Sequence, residues 1–334
     1  MTDTLNIGII GLGKMGLTRY TECCNHPQTV VTHGSDPDRD RYALFPGVTC
    51  SANPASVIGS DVDAVLIATP NRFAPELIIA ALDSGKHVFC EKPPGCSVED
   101  IEAIRVAEAR HPELKLKFGF NHRYHAGIQE AKRIVDSGTI GRVLWMRGTY
   151  GKCGGEDFAE SWRSDKALSG AGILLDQGIH MLDLFRHFVG DFTEVKSMVE
   201  TAYWDIPVED NAFALLRNDA GVVAMLHSSS TQWKHTFNLE IYGADGLVSV
   251  NGILSSTRSY GDETLTVARR AFDDGFNTGK PQEETIYFDT DPSWQLEMAD
   301  FVACIANDTP VTTGTSDDAL SAMKLVFAIY DGDR

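Results

Sequence analysis

The sequence predicts an α/β protein of two domains: a doubly wound parallel sheet over residues 1–123, then an α+β domain over residues 124–334 with an open, mainly antiparallel sheet. Three observations lead there. Short apolar runs alternate with amphipathic helical stretches through the first domain, the pattern of buried parallel strands joined by crossover helices. Beyond it, consecutive β-rich runs joined by short turns call for antiparallel pairing. The 334 residues are enough for two ordinary domains, each with its own core.

In chain order, the strand "LNIGIIGLG" leads into a helix from about Lys14, and "TVVTHGS" ends in an acidic turn. "DAVLIATP" precedes the helical "APELIIAALDSG", and "KHVFC" precedes "SVEDIEAIRVAEAR", where Ser97 as N-cap and Asp100 three residues on form a capping box. The strand "KLKFGF" closes the domain. A helix in "HAGIQEAKRIVDSGTIGRV", with Gly138 as its stop, opens the second. The strands "VLWMRGTYG", "FTEVKSMVETAYW", "NAFALLRN", "GVVAMLHSSSTQ", "FNLEIYGADG" and "LVSVNG" follow, and the helix "SDDALSAMKLVFAIYD" ends the chain. One more helical stretch, "DQGIHMLD", spaces Asp176, His180 and Asp183 at i, i+4 and i+7, a single polar stripe on a 3.6-residue period.

Composition removes several function classes. A formal net charge of −18 opposes polyanions, so neither nucleic acid nor an anionic membrane is an expected partner. No apolar run approaches the roughly 18 residues of a membrane helix, and "MTDTLNIGII" lacks the basic and apolar regions of a signal peptide, so a cytoplasmic location is expected. The 7 cysteines repeat no paired C-x-x-C spacing and read as reduced thiols. With no H-E-x-x-H present, His122 and His125 read as loop residues, and no metal is expected.

"GLGKMG" sets Gly11, Gly13 and Gly16 as G-x-G-x-x-G between a strand and a helix, with Asp36 at the end of the next strand. In that context the first glycine permits the tight turn, the second lets backbone approach a pyrophosphate, and the third lets helix and strand pack closely. The anion sits on free N–H groups at the helix N-terminus. The loop Gly11, Leu12, Gly13, Lys14, Met15, Gly16 is therefore a candidate dinucleotide site. Asp36 suits ribose hydroxyls and repels a 2′-phosphate, favouring NAD over NADP, although Arg39 and Arg41 lie just beyond it. Thr69, Pro70 and Asn71 after one strand, and Glu91 and Lys92 after the next, stand at carboxyl ends of strands, where such sheets bind ligands.

"GLGKMG", "ATPN", "EKP" and "GAGILLDQGIHMLDLFRHFVG", in that order, resemble the glucose-fructose oxidoreductase / inositol dehydrogenase / MocA-like (Gfo/Idh/MocA) family, and "VEDNAFALL" and "LEIYGADG" carry the likeness into the second domain. The resemblance implies a nicotinamide-dependent sugar or polyol oxidoreductase with a Rossmann domain and an open sheet that often joins subunits as dimers or tetramers. It also implies a catalytic group of Lys92, Asp176 and His180. Those residue types suit the chemistry. An alcohol loses its hydroxyl proton as hydride leaves, and imidazole, with a pKa of about 6.5, takes that proton near neutral pH. Asp176 is then the group that orients the imidazole, and Lys92 the donor to the reacting oxygen.

Asn121 and Arg123 in "FNHRYH", Tyr150, and Trp162 and Arg163 in the long segment "GKCGGEDFAESWRSDKALSG" are the substrate-contact candidates, together with His180. Two alternatives stay open: a glycosidase or epimerase that oxidises its substrate transiently, and a non-catalytic NAD(H) sensor.

Overall fold

The apolar runs of the amino-terminal half pair as parallel strands. The computed structural model describes residues 4–272 and 278–332. It contains β1 (Leu5–Ile10), β2 (Thr29–Ser35), β3 (Thr49–Ser51), β4 (Ala64–Ile67), β5 (His87–Glu91) and β6 (Leu116–Gly119), interleaved with helices α1 (Lys14–Asn25), α2 (Ala55–Ile58), α3 (Ala74–Asp83) and α4 (Val98–Glu108). The order β3-β2-β1-β4-β5-β6 starts in the middle and reverses between β1 and β4, which sets a crevice at the carboxyl ends of those strands. The rest of the chain supplies α5 (Ala126–Asp136), β7 (Val143–Gly151), α6 (Lys166–Ser169), α7 (Ile179–Val189), strands β8 (Glu194–Glu200), β9 (Asn211–Arg217), β10 (Val223–Ser229), β11 (Thr236–Gly243), β12 (Gly246–Asn251), β13 (Glu263–Arg269) and β14 (Glu283–Phe288), and helices α8 (Ser293–Ala306) and α9 (Ser316–Gly332).

Two compact units result. The first runs to Asn121 and takes in Ala167–Gly170 and Trp294–Met323; the second comprises His122–Lys166, Ala171–Ser293 and the residues from Lys324 onward. The core of the first unit sets Ile7, Ile9, Leu66 and Phe89 of the sheet against Met298, Phe301 and Val302 of α8. Charge reinforces this docking. Arg19 of α1 bonds Glu91 at 2.7 Å and Glu297 of α8 at 2.6 Å, and Lys117 of β6 bonds Asp300 at 2.7 Å. The Arg19 guanidinium also lies over the Phe89 and Trp294 rings.

The sheet of the second unit has the order β14-β13-β12-β11-β7-β10-β9-β8, antiparallel throughout except where β10 runs parallel to β7. The sequence reading did not foresee β13 and β14. β14 is an exposed edge whose Glu283 and Glu284 discourage further pairing, so it lacks the apolar alternation that marks a strand. Nor does a strand continue through "TAYW". The Asp210 carboxylate accepts the Ala202, Tyr203 and Trp204 N–H groups at 2.8, 2.8 and 3.0 Å, donors a strand would direct at its neighbour.

The "DQGIHMLD" stretch also differs from the single stripe expected of it. Leu174–Gly178 is a π-helical turn, in which the Ile179 N–H reaches back to the Leu174 carbonyl, and α7 begins only at Ile179. Asp176 and His180 therefore lie on either side of a change in helical pitch, a feature frequent at functional sites. Close packing of this turn depends on Gly178, where a Cβ would lie 2.8 Å from Ser228 Oγ.

Candidate active site

In the first unit the glycine loop forms the expected cradle. Gly11 has φ +93°, and a Cβ there would meet the Ala68 carbonyl oxygen at 2.5 Å. A Cβ on Gly16 would lie 1.9 Å from Gly11 O, so only hydrogen fits between loop and helix. A Cβ on Gly13 would meet only the end of the Arg41 side chain, at 3.0 Å. The N-terminus of α1 has no side-chain cap and no acidic residue in its first turn, which leaves its N–H groups directed at any anion placed there.

Around the cradle, the Asp36 carboxylate accepts the Leu12 N–H at 2.8 Å and the Asp38 N–H at 2.9 Å, tying the end of β2 to the glycine loop. Arg41 Nε lies 3.8 Å from it. Lys14 is exposed, Met15 is half-buried and Leu12 is buried. After β4, Thr69 Oγ1 is buried with no hydrogen-bond partner among the described residues, while Asn71 Nδ2 donates to the Ser169 carbonyl at 2.7 Å. An uncapped helix, a glycine cradle and an orphaned hydroxyl fit a dinucleotide. Pro70 joins Thr69 to Asn71. Glu91 ends β5 in its bond to Arg19, and the half-buried Lys92 follows, its bond to Pro93 cis. Asn121, after β6, is buried.

In the second unit the π turn and α7 assemble a polar cluster. Asp176 accepts Lys152 Nζ at 2.9 Å and Arg163 Nε at 3.1 Å, and the Arg163 guanidinium lies over the Trp162 ring at 4.5 Å. The His180 ring stacks on His122 with centroids 3.7 Å apart and planes 20° from parallel. His122 Nε2 lies 3.0 Å from Tyr150 Oη. Burial, then the charges of Tyr260 and Asp176, push the Tyr150 hydroxyl well above its usual range, and burial pushes Tyr260 up to about 12. Both phenols therefore stay protonated near neutral pH. Gln177 Nε2 donates to Tyr260 Oη at 2.9 Å.

The structure thus brings Tyr150 beside His180, and Trp162 and Arg163 beside Asp176. Arg123 is instead engaged by Asp183, through bonds of 2.8 and 2.6 Å. Sequence reasoning missed His122, Lys152 and Tyr260. The position of Lys152 two residues after Tyr150, at the end of a strand, was the available signal for it. His122 lies in a segment that reads as a loop, and no spacing rule identifies a stacking partner distant in sequence. His125, the other loop histidine, is buried against Glu263 at 2.9 Å. No group that could hold a metal ion occurs among the described residues, and no described helix is long and apolar enough to cross a membrane.

A glycine cradle under an uncapped helix, on a sheet of this order, defines a dinucleotide-binding domain. Residues 5–119 match the model of the oxidoreductase family with an NAD-binding Rossmann fold, and residues 128–249 match the GFO/IDH/MocA C-terminal domain. The chain belongs to the Gfo/Idh/MocA family of NAD-binding oxidoreductases. It is 35% identical over 222 residues to levoglucosan dehydrogenase of Pseudarthrobacter phenanthrenivorans, a match spanning 62% of this chain and 57% of that protein. It is 27% identical over 270 residues to myo-inositol 2-dehydrogenase of Thermotoga maritima, covering 78% and 79% of the two chains. The solved complex of levoglucosan dehydrogenase with NADH and levoglucosan has the same fold, with a TM-score of 0.88 at 24% identity over 99% of this chain and 97% of that one.

Proposed function

We propose that the protein is an NAD-dependent dehydrogenase acting on a secondary alcohol, or the matching carbonyl, of a sugar, an inositol or a sugar derivative, nucleotide-linked sugars included. The observation that carries this reading is the buried His180 imidazole, stacked on His122, which is itself bonded to Tyr150, just after the π turn that holds Asp176. Relatives named for levoglucosan and inositol support the substrate class.

Bound NAD supplies the hydride acceptor. His180 takes the hydroxyl proton of the substrate during oxidation and returns it during reduction. Asp176 favours the imidazolium form through its negative charge, which Lys152 and Arg163 moderate. Lys92 donates to the reacting oxygen and offsets the charge building there. Tyr150, Asn121, Trp162 and Arg163 contact the substrate, and Arg123 holds the turn that carries His122. Asp36 and the backbone of the glycine loop hold the adenosine end of the cofactor, with Thr69, Pro70 and Asn71 alongside.

A second copy of the chain covers the exposed face of the second sheet, where Met225 lies opposite Leu215 and Met198 opposite Phe213, all four side chains exposed. A monomer by light scattering would remove that part of the reading. The 7 unpaired cysteines accord with a cytoplasmic location.

The test of function is the absorbance of reduced nicotinamide. Purified protein is supplied with NAD, then NADP, and a panel of levoglucosan, inositols, aldoses, sugar acids and nucleotide sugars. Steady reduction of NAD by one class is the expected result. No reduction across the panel by protein that binds NAD would overturn the dehydrogenase reading.

A further inference from the structure

We infer that His122 is a positioning residue for His180: its stacked ring sets the plane of the catalytic imidazole and the pH at which that imidazole takes up its proton. This rests on the proposed role of His180 as the acid/base. The geometry lies wholly within the second unit. Both histidines are buried, their rings overlap at 3.7 Å, and the far edge of His122 is tied through Nε2 to the Tyr150 hydroxyl at 3.0 Å. A ring fixed at its edge by a phenol and covered on its face by a second imidazole has little rotational freedom. It therefore limits the rotation of the ring stacked on it.

The electrostatic argument follows from the same contact. Two imidazolium cations at this separation repel strongly, so the pair titrates as a unit and a proton on one ring opposes a proton on the other. The titratable groups facing His122 are His180 of α7, Tyr150 of β7, and His125 of its own turn at 5.6 Å. Behind His125 stand Glu263 of β13, at 2.9 Å, and Asp291, at 3.7 Å. Phe237 of β11 contributes an apolar ring at 6.0 Å. Burial keeps the Tyr150 hydroxyl protonated, and despite burial hydrogen bonds hold the Glu263 carboxyl below its usual range, so the ring that meets His180 face to face is His122.

The test is His122→Phe, which keeps a flat ring and removes its titration. The acid limb of the pH profile of kcat/KM for alcohol oxidation should move up by about one unit, a roughly tenfold loss at a fixed pH below the limb. The dissociation constant for NAD should stay the same. A histidine-selective NMR titration should show His180 shifting in the same direction. If His122→Phe does not fold, His122→Gln keeps a polar partner for Tyr150 without a titrating ring, and the same upward shift is expected. An acid limb and a His180 titration unchanged in whichever variant folds would overturn the inference. Turnover surviving in His180→Ala would overturn the acid/base reading instead, leaving the coupling of the rings to be judged on the NMR titration alone.

Discussion

Arg123 and Asp183 form a buried ion pair in which two guanidinium nitrogens meet the two carboxylate oxygens at 2.8 and 2.6 Å. It fastens the turn carrying His122 to the second turn of α7, the helix carrying His180. Removing one partner leaves a buried charge uncompensated, which costs about 3–5 kcal/mol. Asp183→Leu should lower stability by about that amount in urea unfolding, and Arg123→Met with Asp183→Leu should recover a good part of it. Equal losses in the single and double variants would mean that the pair contributes through packing rather than charge.

The glycines of the cradle should fail in different ways. Gly16→Ala drives a Cβ to 1.9 Å from backbone, whereas Gly13→Ala meets only a flexible arginine tip at 3.0 Å. Gly13→Ala should therefore fold with a melting temperature within a few degrees of the parent while NAD affinity falls at least about tenfold, because the methyl occupies the approach of the pyrophosphate. Gly16→Ala should lose both. Calorimetric NAD binding together with thermal melts separates the two. Retained NAD affinity in Gly13→Ala would place the pyrophosphate elsewhere.

Features set by local chemistry were legible in the sequence. Ser97 and Asp100 do close a capping box, with Ser97 Oγ accepting the Asp100 N–H at 3.2 Å and Asp100 accepting the Ser97 N–H at 3.1 Å. Gly138 has φ +74° just past α5. Features set by tertiary contact were not. The π turn at Asp176 follows from packing against β10, which periodicity does not report, and the His122–His180 stack joins residues 58 positions apart. Lys152 and Arg163 gave no sign in the sequence that both would serve one carboxylate. The edge strand β14 was hidden because both its faces are wet.

Asp36 should decide between the two nicotinamide cofactors. Its carboxylate is held at the mouth of the cradle by Leu12 N–H, with Arg41 3.8 Å away. Asp36→Ser removes the charge that repels a 2′-phosphate and leaves Arg41 to receive it. The ratio of kcat/KM for NADP over NAD should rise by about tenfold or more. Arg41→Ala added to Asp36→Ser should abolish that gain, and an unaltered ratio in Asp36→Ser would remove Asp36 from cofactor selection.

The Arg19 cluster predicts a pH dependence of stability. Glu297 is fully buried, and burial pushes its carboxyl up to about 7 despite the attraction of Arg19, since Glu91 shares the same guanidinium. A carboxyl raised on folding binds its proton in the native state at pH values where the unfolded chain has released it. Its contribution is therefore greatest below about 4.5 and is lost as pH climbs through about 7, with a ceiling of about 3 kcal/mol. Glu297→Gln, which mimics the protonated form, should be relatively more stable at pH 8 than at pH 5 when compared with the parent by urea unfolding. A difference between variant and parent that does not change between pH 5 and pH 8 would mean that Glu297 stays ionised over that range and would overturn this prediction.

Turnover should separate the residues around His180 by the sign of their effects. His180→Ala should retain NAD binding and lose about 10²- to 10⁴-fold in turnover, the usual contribution of a positioned acid/base. The negative charge of Asp176 favours the imidazolium, so Asp176→Asn should lower the apparent pKa of the acid limb in alcohol oxidation. Lys152, bonded to Asp176 at 2.9 Å, neutralises part of that charge. Lys152→Met should accordingly raise the same pKa by exposing His180 to more of the carboxylate's field. Shifts of opposite sign in the two variants are what an electrostatic link requires. A loss of turnover in both with no movement of the limb would reduce Lys152 and Asp176 to scaffolding for Arg163 and the π turn.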